Sequence, residues 1–536
     1  MKGRKRWIIG GVLVLVAVLV AVLILRDSAP PDGNGGNEGN GEPPPRPWVV
    51  RYGESRTGLG SWIGIDPQTI GMPIVAMQTA EILFLSDEET REPTPFLATE
   101  LEYSENGTYV DIFLMDDVRF HNGDLMTAED VKFSYDRMQN EDLVMGWAPI
   151  YQRWIDHVEV INDYQVRIYG TLEAIEEGSP RKDFPLQPAI IPKNYISEVG
   201  WEEWAEQPVL TGALKIVDWE RDAYVHYEKA FPEEGHWYWG DLPNYDELII
   251  YSVTEPATRL AMLKAGELDV AQVPPANIRD AESDPKLTVH ISEWCYSWDI
   301  VFYERFDEDS PLYDPNVRRA VSLAIDRAGI AENVLHGLYE PRGSYWAPYS
   351  FGYRYREPDP YDPDEARRIL AEAGYPDGFD TSFSFPLDQG VVSTAVIASL
   401  AQVGIRAESR GYEGVTWGTM LYFNQHVGMG FMWIPGWGGQ YYPEDVFGQE
   451  LHSYAAQVSR YLPEVEEAYD RMVSSDNEEE YMQATWAAEE LIYDELGYKI
   501  PLWAVHAAFA YGPTIEEWEP WQGTVEQFLV ELKYKG

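Results

Sequence analysis

Cysteine is all but missing from this chain of 536 residues. Cys295 is the only one, so no intrachain disulfide can form and a cysteine-based zinc site is excluded. Flanked by Trp294, Tyr296 and Trp298, the lone thiol reads as a small hydrophobe. Positive charge is scarce too. Forty Lys and Arg stand against 90 Asp and Glu, a formal net charge of −50, and such a surface repels nucleic-acid phosphates and anionic headgroups. Nucleic-acid binding is therefore set aside, and the acidity reads first as a solubility device. The nine histidines never stand one helical turn apart around a glutamate, as a zinc peptidase requires. The strand-to-helix elbow Gly-x-Ser-x-Gly is missing, and so is a phosphate-cradling loop ending in Lys-Ser or Lys-Thr. Gly58, Gly60 and Gly64 are one residue out of register for a dinucleotide loop and read as a turn-rich loop. These gaps point away from an enzyme and call for no metal or cofactor.

What the chain does have begins at its amino-terminal side. Lys2, Arg4, Lys5 and Arg6 precede an unbroken apolar run from Trp7 to Leu25, long enough for a bilayer core that takes roughly 20 apolar residues. Positive charge on that side holds it in the cytoplasm, which puts the rest of the chain outside. A cleaved secretory peptide is the competing reading, but Leu23, Ile24, Leu25 and Arg26 offer no small-residue cleavage site. Residues 1–26 are expected to be an anchor or uncleaved signal. Residues 27–47, mostly Pro, Gly, Asn and Glu, bury too little apolar surface to offset ordering entropy and are expected to be a disordered linker.

Beyond Trp48 no stretch is apolar enough to span, and no repeat of fixed period occurs. The hydrophobic fraction is 45%, ample for a large core. Short β-like runs at Trp48–Tyr52, Tyr109–Leu114, Val166–Tyr169 and Leu248–Tyr251 alternate with helical patterns, which predicts an α/β architecture. Thr127 and Asp130 cap a helix running to Met138, with Val131, Tyr135 and Met138 on one face. Asp314 before Pro315 caps a second, whose stripe is Val317, Ala320, Val321, Ala324 and Ile325. Asp362, Pro363 and Glu365 repeat the device for a third, with Gly374 as its stop.

The 20 Trp and 35 Tyr exceed what packing usually recruits and suit a protein that grips something small and partly polar. His121, in Phe120-His121-Asn122-Gly123-Asp124, is the best lone candidate for a reactive imidazole. Asn-Gly is a turn former, so this ring is expected to bond the turn backbone instead.

At this stretch a resemblance becomes visible. Pro95-Phe96-Leu97-Ala98, Val118 to Gly123, and Thr127-Ala128-Glu129-Asp130-Val131-Lys132-Phe133-Ser134 resemble the signature of the family 5 extracellular solute-binding proteins, which bind dipeptides, oligopeptides or nickel. The likeness starts at Ile65-Asp66-Pro67 and continues through Leu263 to Asp269, Val317 to Ala320, Ala324 to Arg327, Pro363 to Gly374 and Val403-Gly404-Ile405, closing at Ile500-Pro501-Leu502. It implies a two-lobed α/β fold of the periplasmic-binding-protein type (class II), with an extra subdomain in lobe I. Lobe I is expected at 48–88, 207–299 and 505–536, the subdomain at 89–206 and lobe II at 300–504.

The resemblance also implies a solute trapped between closing lobes and handed to a membrane permease of an ABC importer. In oligopeptide binders of this family a Trp-x-x-Asp-Tyr segment sets its aspartate on the peptide's amino group. Here the similar segment is Trp437-Gly438-Gly439-Gln440-Tyr441, so an amide replaces the acid. Gln440 offers one acceptor and two donors, which suits hydroxyls. The expected ligand contacts are Trp433, Trp437, Gln440, Tyr441, Tyr442 and Trp298, the last where the first hinge strand should lie. A peptide is the first expected ligand and an oligosaccharide the second, and an extracellular hydrolase is the distant alternative.

Overall fold

A computed structural model describes residues 47–54, 68, 74–86, 93–140, 151–152, 155–171, 188–231, 236–237, 240–292, 296–346, 352–413, 416–417, 420–421, 425–435, 447, 462–475, 477–519 and 529–535. In chain order its principal strands are β1 (Val49–Glu54), β2 (Ala98–Tyr103), β3 (Tyr109–Leu114), β4 (Ile155–Asn162), β5 (Gln165–Gly170), β6 (Leu214–Glu220), β7 (Tyr224–Lys229), β8 (Glu247–Ser252), β9 (Val270–Val273) and β10 (Thr288–Ile291). Then come β11 (Tyr296–Phe302), β12 (Tyr339–Pro341), β13 (Phe379–Pro386), β14 (Ile405–Tyr412), β15 (Met429–Pro435), β16 (Lys499–Val505) and β17 (Ala508–Tyr511).

These strands make three sheets. The first has the order β10-β17-β9-β1-β8-β7-β6, the second β12-β16-β11-β15-β13-β14, and the third β2-β3-β5-β4. In the first sheet β1 runs parallel to β8 and β9, and in the second β13 runs parallel to β14 and β15. The third is antiparallel throughout. It alternates as a one-sided sheet should: on β3 and β5, Val110, Ile112, Val166 and Ile168 are buried.

The helices form where their caps predict. In α1 (Ala128–Met138) the Asp130 carboxylate accepts from both the backbone N–H and the hydroxyl of Thr127, each at 2.9 Å. A helix α2 (Pro256–Ala265) links β8 to β9. In α3 (Pro315–Leu323) Asp314 accepts from the Asn316 N–H at 2.8 Å. In α4 (Pro363–Glu372) Asp362 accepts from Glu365 at 2.9 Å, and Gly374 takes φ +94° just beyond it, a conformation only glycine adopts freely. The second stripe outlasts its helix. Ala324 and Ile325 are fully buried although α3 stops at Leu323, because Asp326 already caps the next helix through the Gly329 N–H. No described helix is long and apolar enough to cross a membrane, and Trp7–Leu25 lies outside the described residues.

The third sheet is inserted between β1 and β6 and joins the first sheet through a neck of hydrogen-bonded chain segments. There the Gly212 N–H donates to Thr79 O at 2.9 Å and the Ile190 N–H to Glu81 O at 3.0 Å. Ala76, Ala80, Ala189, Ile191, Ile196, Trp204 and Leu210 give the neck an apolar core of its own. The third sheet also shares one buried cluster with Tyr345 and Trp346 and with Val465, Tyr469 and Met472 of the helix Pro463–Val473.

Candidate functional site

The strand registers place one edge of the first sheet against one edge of the second. In the first sheet the parallel strands β1, β8 and β9 end at Glu54, Ser252 and Val273, and Ala508 is paired with both Val273 and Ile291. In the second, Tyr296 is paired with Pro435 and Val505, and Tyr339 with Val505. The chain leaves the first edge after Ile291 and enters the second at Tyr296, then returns between Val505 and Ala508. Two intervening residues span at most about 11 Å between flanking Cα atoms. Both edges are therefore the carboxyl ends of parallel strands, held close by two short crossings. In open α/β sheets this is where ligands bind.

The two crossings are bonded to each other. Both the N–H and the hydroxyl of Ser292 donate to Ala507 O, at 2.9 and 3.2 Å. His506 Nδ1 lies 3.2 Å from Ser292 O, and the His506 N–H donates to Leu338 O at 2.9 Å. Apolar packing runs through the same place, since Val273 and Ala508 share a cluster with Tyr339 and Val505.

Arg259 on α2 sets the edge of the first sheet. Its guanidinium donates to Gln272 O at 2.9 Å and to Val253 O, tying β8 to β9. Burial lowers its pKa, and the nearby Glu54 carboxylate opposes that shift. Gly53 makes room for its stem: a Cβ there would lie 2.6 Å from Leu268 Cδ1 and 3.1 Å from Arg259 Cγ. On the second edge, large apolar side chains meet solvent. Leu387, in the turn after β13, is 52% exposed, and Val391, in the first turn of α5 (Gly390–Gln402), is 68% exposed. Ile291, at the end of β10, is 45% exposed. An edge of this kind offers backbone groups and apolar contacts to a guest.

Of the residues expected to hold ligand, Trp298 sits third in β11 and is 5% exposed. Its indole is packed edge-on to Trp417 at 6.3 Å and tilted against Phe431 at 5.4 Å. Trp433 is opposite Trp298 in the register; its side chain, and the whole of Trp437, Gln440, Tyr441 and Tyr442, lie outside the described residues. The crossing residues Ser292, His506 and Ala507 were not anticipated. Their only trace in sequence is the single polar His506 between two apolar runs.

His121 is held in the neck. The Leu210 N–H donates to its Nδ1 at 3.3 Å, and its Nε2 lies 2.9 Å from Gly212 O, to which it donates. Desolvation pushes its pKa down to about 4, so the ring is neutral and fully engaged with backbone. The backbone it bonds is not the adjacent Asn-Gly turn but a segment some 90 residues on. Close by, burial raises the Glu81 carboxyl well above its ordinary value, with the Thr211 hydroxyl acting the other way. Among the described residues no cluster of three or more His, Cys, Asp and Glu is arranged to hold a metal ion.

The profile of the bacterial extracellular solute-binding proteins, family 5 (middle region), matches residues 92–457. The heme-binding protein A of Haemophilus influenzae is 27% identical over 60% of this chain. The glutathione-binding protein of Pectobacterium atrosepticum is 28% identical over 58%. The alignments span 62% and 59% of those relatives' own length. Among solved structures, a periplasmic binding protein associated with an ABC transporter from Helicobacter pylori, in complex with the peptide STSA, superposes with a TM-score of 0.78. It is 20% identical and is matched over 91% of this chain and 99% of its own, which shows a shared fold.

Proposed function

This chain belongs to the family 5 bacterial extracellular solute-binding proteins, and from that premise we propose that it captures a peptide-like solute between its two sheets and delivers it to the permease of an ABC importer. The observation that carries this reading is the meeting of two carboxyl-terminal sheet edges at a pair of short crossings. An open cleft binds ligand, the lobes rotate about the crossings, and the closed form is favoured by the ligand's higher affinity for it. Lobe I comprises 48–88, 207–299 and 505–536, with 89–206 as its inserted subdomain and 300–504 as lobe II; the mechanical boundaries sit at the crossings. Trp433, Trp437, Gln440, Tyr441, Tyr442 and Trp298 are proposed to contact the ligand. Trp7–Leu25 holds the body to the outer face of the cell membrane as a single-pass anchor.

Peptide binding is supported by the Helicobacter protein, which holds a peptide in the same fold, and by a di/tripeptide-binding protein of Pseudomonas aeruginosa that is 26% identical over 63% of this chain. Gln440, standing where oligopeptide binders carry an acid, favours oligosaccharides as a second reading. A thermal-shift screen of the full chain against defined tri- and tetrapeptides and against malto- and cello-oligosaccharides separates the two, because a ligand of the native state raises Tm. Peptides are expected to raise it, with recovery of the peptide intact. A rise with oligosaccharides alone would sink the first reading, and cleavage of the guest would sink both.

A further inference from the structure

We propose that the junction of the two sheets is a pH-responsive hinge, in which the His506 imidazolium bridges Ser292 of one crossing to Glu340 of the second sheet. The geometry is asymmetric. Ser292 O can only accept, so the ring nitrogen 3.2 Å from it, Nδ1, carries a hydrogen. In the neutral ring Nε2 is then an acceptor, and it stands 3.9 Å from Glu340 Oε2, another acceptor. A proton on Nε2 turns that confrontation into attraction between a cation and a carboxylate. One ring then grips both sides of the joint, since Ser292 lies in the first crossing, Glu340 on β12 and His506 in the second crossing.

Groups facing the ring come from each neighbouring element. From β12 there is Glu340, and just before that strand the Leu338 carbonyl takes the His506 N–H. From the first crossing there is the Ser292 carbonyl. On β10, His290 is paired with Phe509, three residues beyond His506. The imidazole is 22% and the Glu340 carboxylate 55% exposed, so both are open to solvent protons. Because the carboxylate attracts only the protonated ring, the bridge is present in acid and is lost when the ring gives up its proton.

The test is hydrogen exchange of the crossing amides in the full chain without ligand, corrected for the intrinsic pH dependence of exchange. From pH 8 to pH 5.5 the Ser292 and Ala508 segments are expected to exchange roughly two- to five-fold more slowly, the range for a partly exposed ion pair. His506→Gln keeps a donor for Ser292 but cannot titrate, and Glu340→Gln removes the carboxylate, so each should show no pH effect beyond the intrinsic one. Equal protection at the two pH values in the wild type overturns the proposal, and so does a wild-type response in either variant. No ligand enters the experiment, so its failure leaves the peptide reading untouched.

Discussion

The neck that carries the third sheet and the crossing that joins the first two are both double passages of chain, yet they are built on opposite terms. In the neck burial works against charge: it keeps His121 deprotonated down to about pH 4 and raises the Glu81 carboxyl well above its ordinary range. Its segments touch through Gly212 and Thr79, and an apolar core of seven residues surrounds them. At the crossing His506 and Glu340 remain partly exposed, and each passage is only a few residues long. The difference teaches where motion is placed. A weld is made by burying and neutralising polar groups, whereas a hinge keeps them few, short and wet.

The sharpest way to break this comparison is Gly212→Val. A Cβ at Gly212 would stand 2.8 Å from the backbone of Thr79, and backbone cannot yield as a side chain can. A loss of about 3 kcal/mol or more is expected in denaturant melts; a loss under about 1 kcal/mol would mean that the neck flexes. The next largest effect is acid sensitivity. His121 has a folded pKa of about 4 against about 6.5 when unfolded, so the unfolded chain binds the extra proton between those values. Its contribution is complete above pH 6.5 and falls by up to about 3 kcal/mol as pH drops to 4. His121→Phe, less stable at neutral pH because Leu210 N–H and Gly212 O lose their partner, should lack that part of the acid slope.

Glu81 sharpens the contrast from the other side. Its folded pKa is raised, so it weakens the fold above the ordinary carboxyl range and is neutral toward stability below it. Glu81→Gln is therefore expected to gain stability over the wild type at pH 7, with the gain gone by pH 4, as read from paired melts at the two values. The smallest effect should come from the hinge. Ser292→Ala removes a hydroxyl bond to Ala507 O while the N–H bond remains, which costs less than about 1 kcal/mol. A larger loss of global stability would make the crossing a weld after all.

Much of the framework was legible because its signals are local. Tyr109–Leu114 is a strand with the expected bounds. Asp314 and Asp362 cap their helices as their place before proline implies, since a cap acts over three or four residues. His121 was legible in half: its backbone partners were foreseen in kind but not in place, because Leu210 and Gly212 come near only once the inserted sheet closes its neck. His506 was legible only as a lone polar residue between two apolar runs. Nothing near it in sequence announces Ser292 or Glu340, and the pairing exists only because two distant strand ends arrive side by side. Trp298 shows the same limit, for spacing does not announce that its indole lies against Trp417 and Phe431.

The return passage of just His506 and Ala507 has a mechanical corollary. A link that short cannot stretch, so the halves can swing but not slide apart, and displacement grows in proportion to radius from the pivot. Under the closing motion proposed above, atoms of a guest lodged beside Ala507 would keep almost the same surroundings throughout the stroke. Those at the outer rim would travel along the longest arc, and there a guest's length would decide whether the proposed stroke is completed.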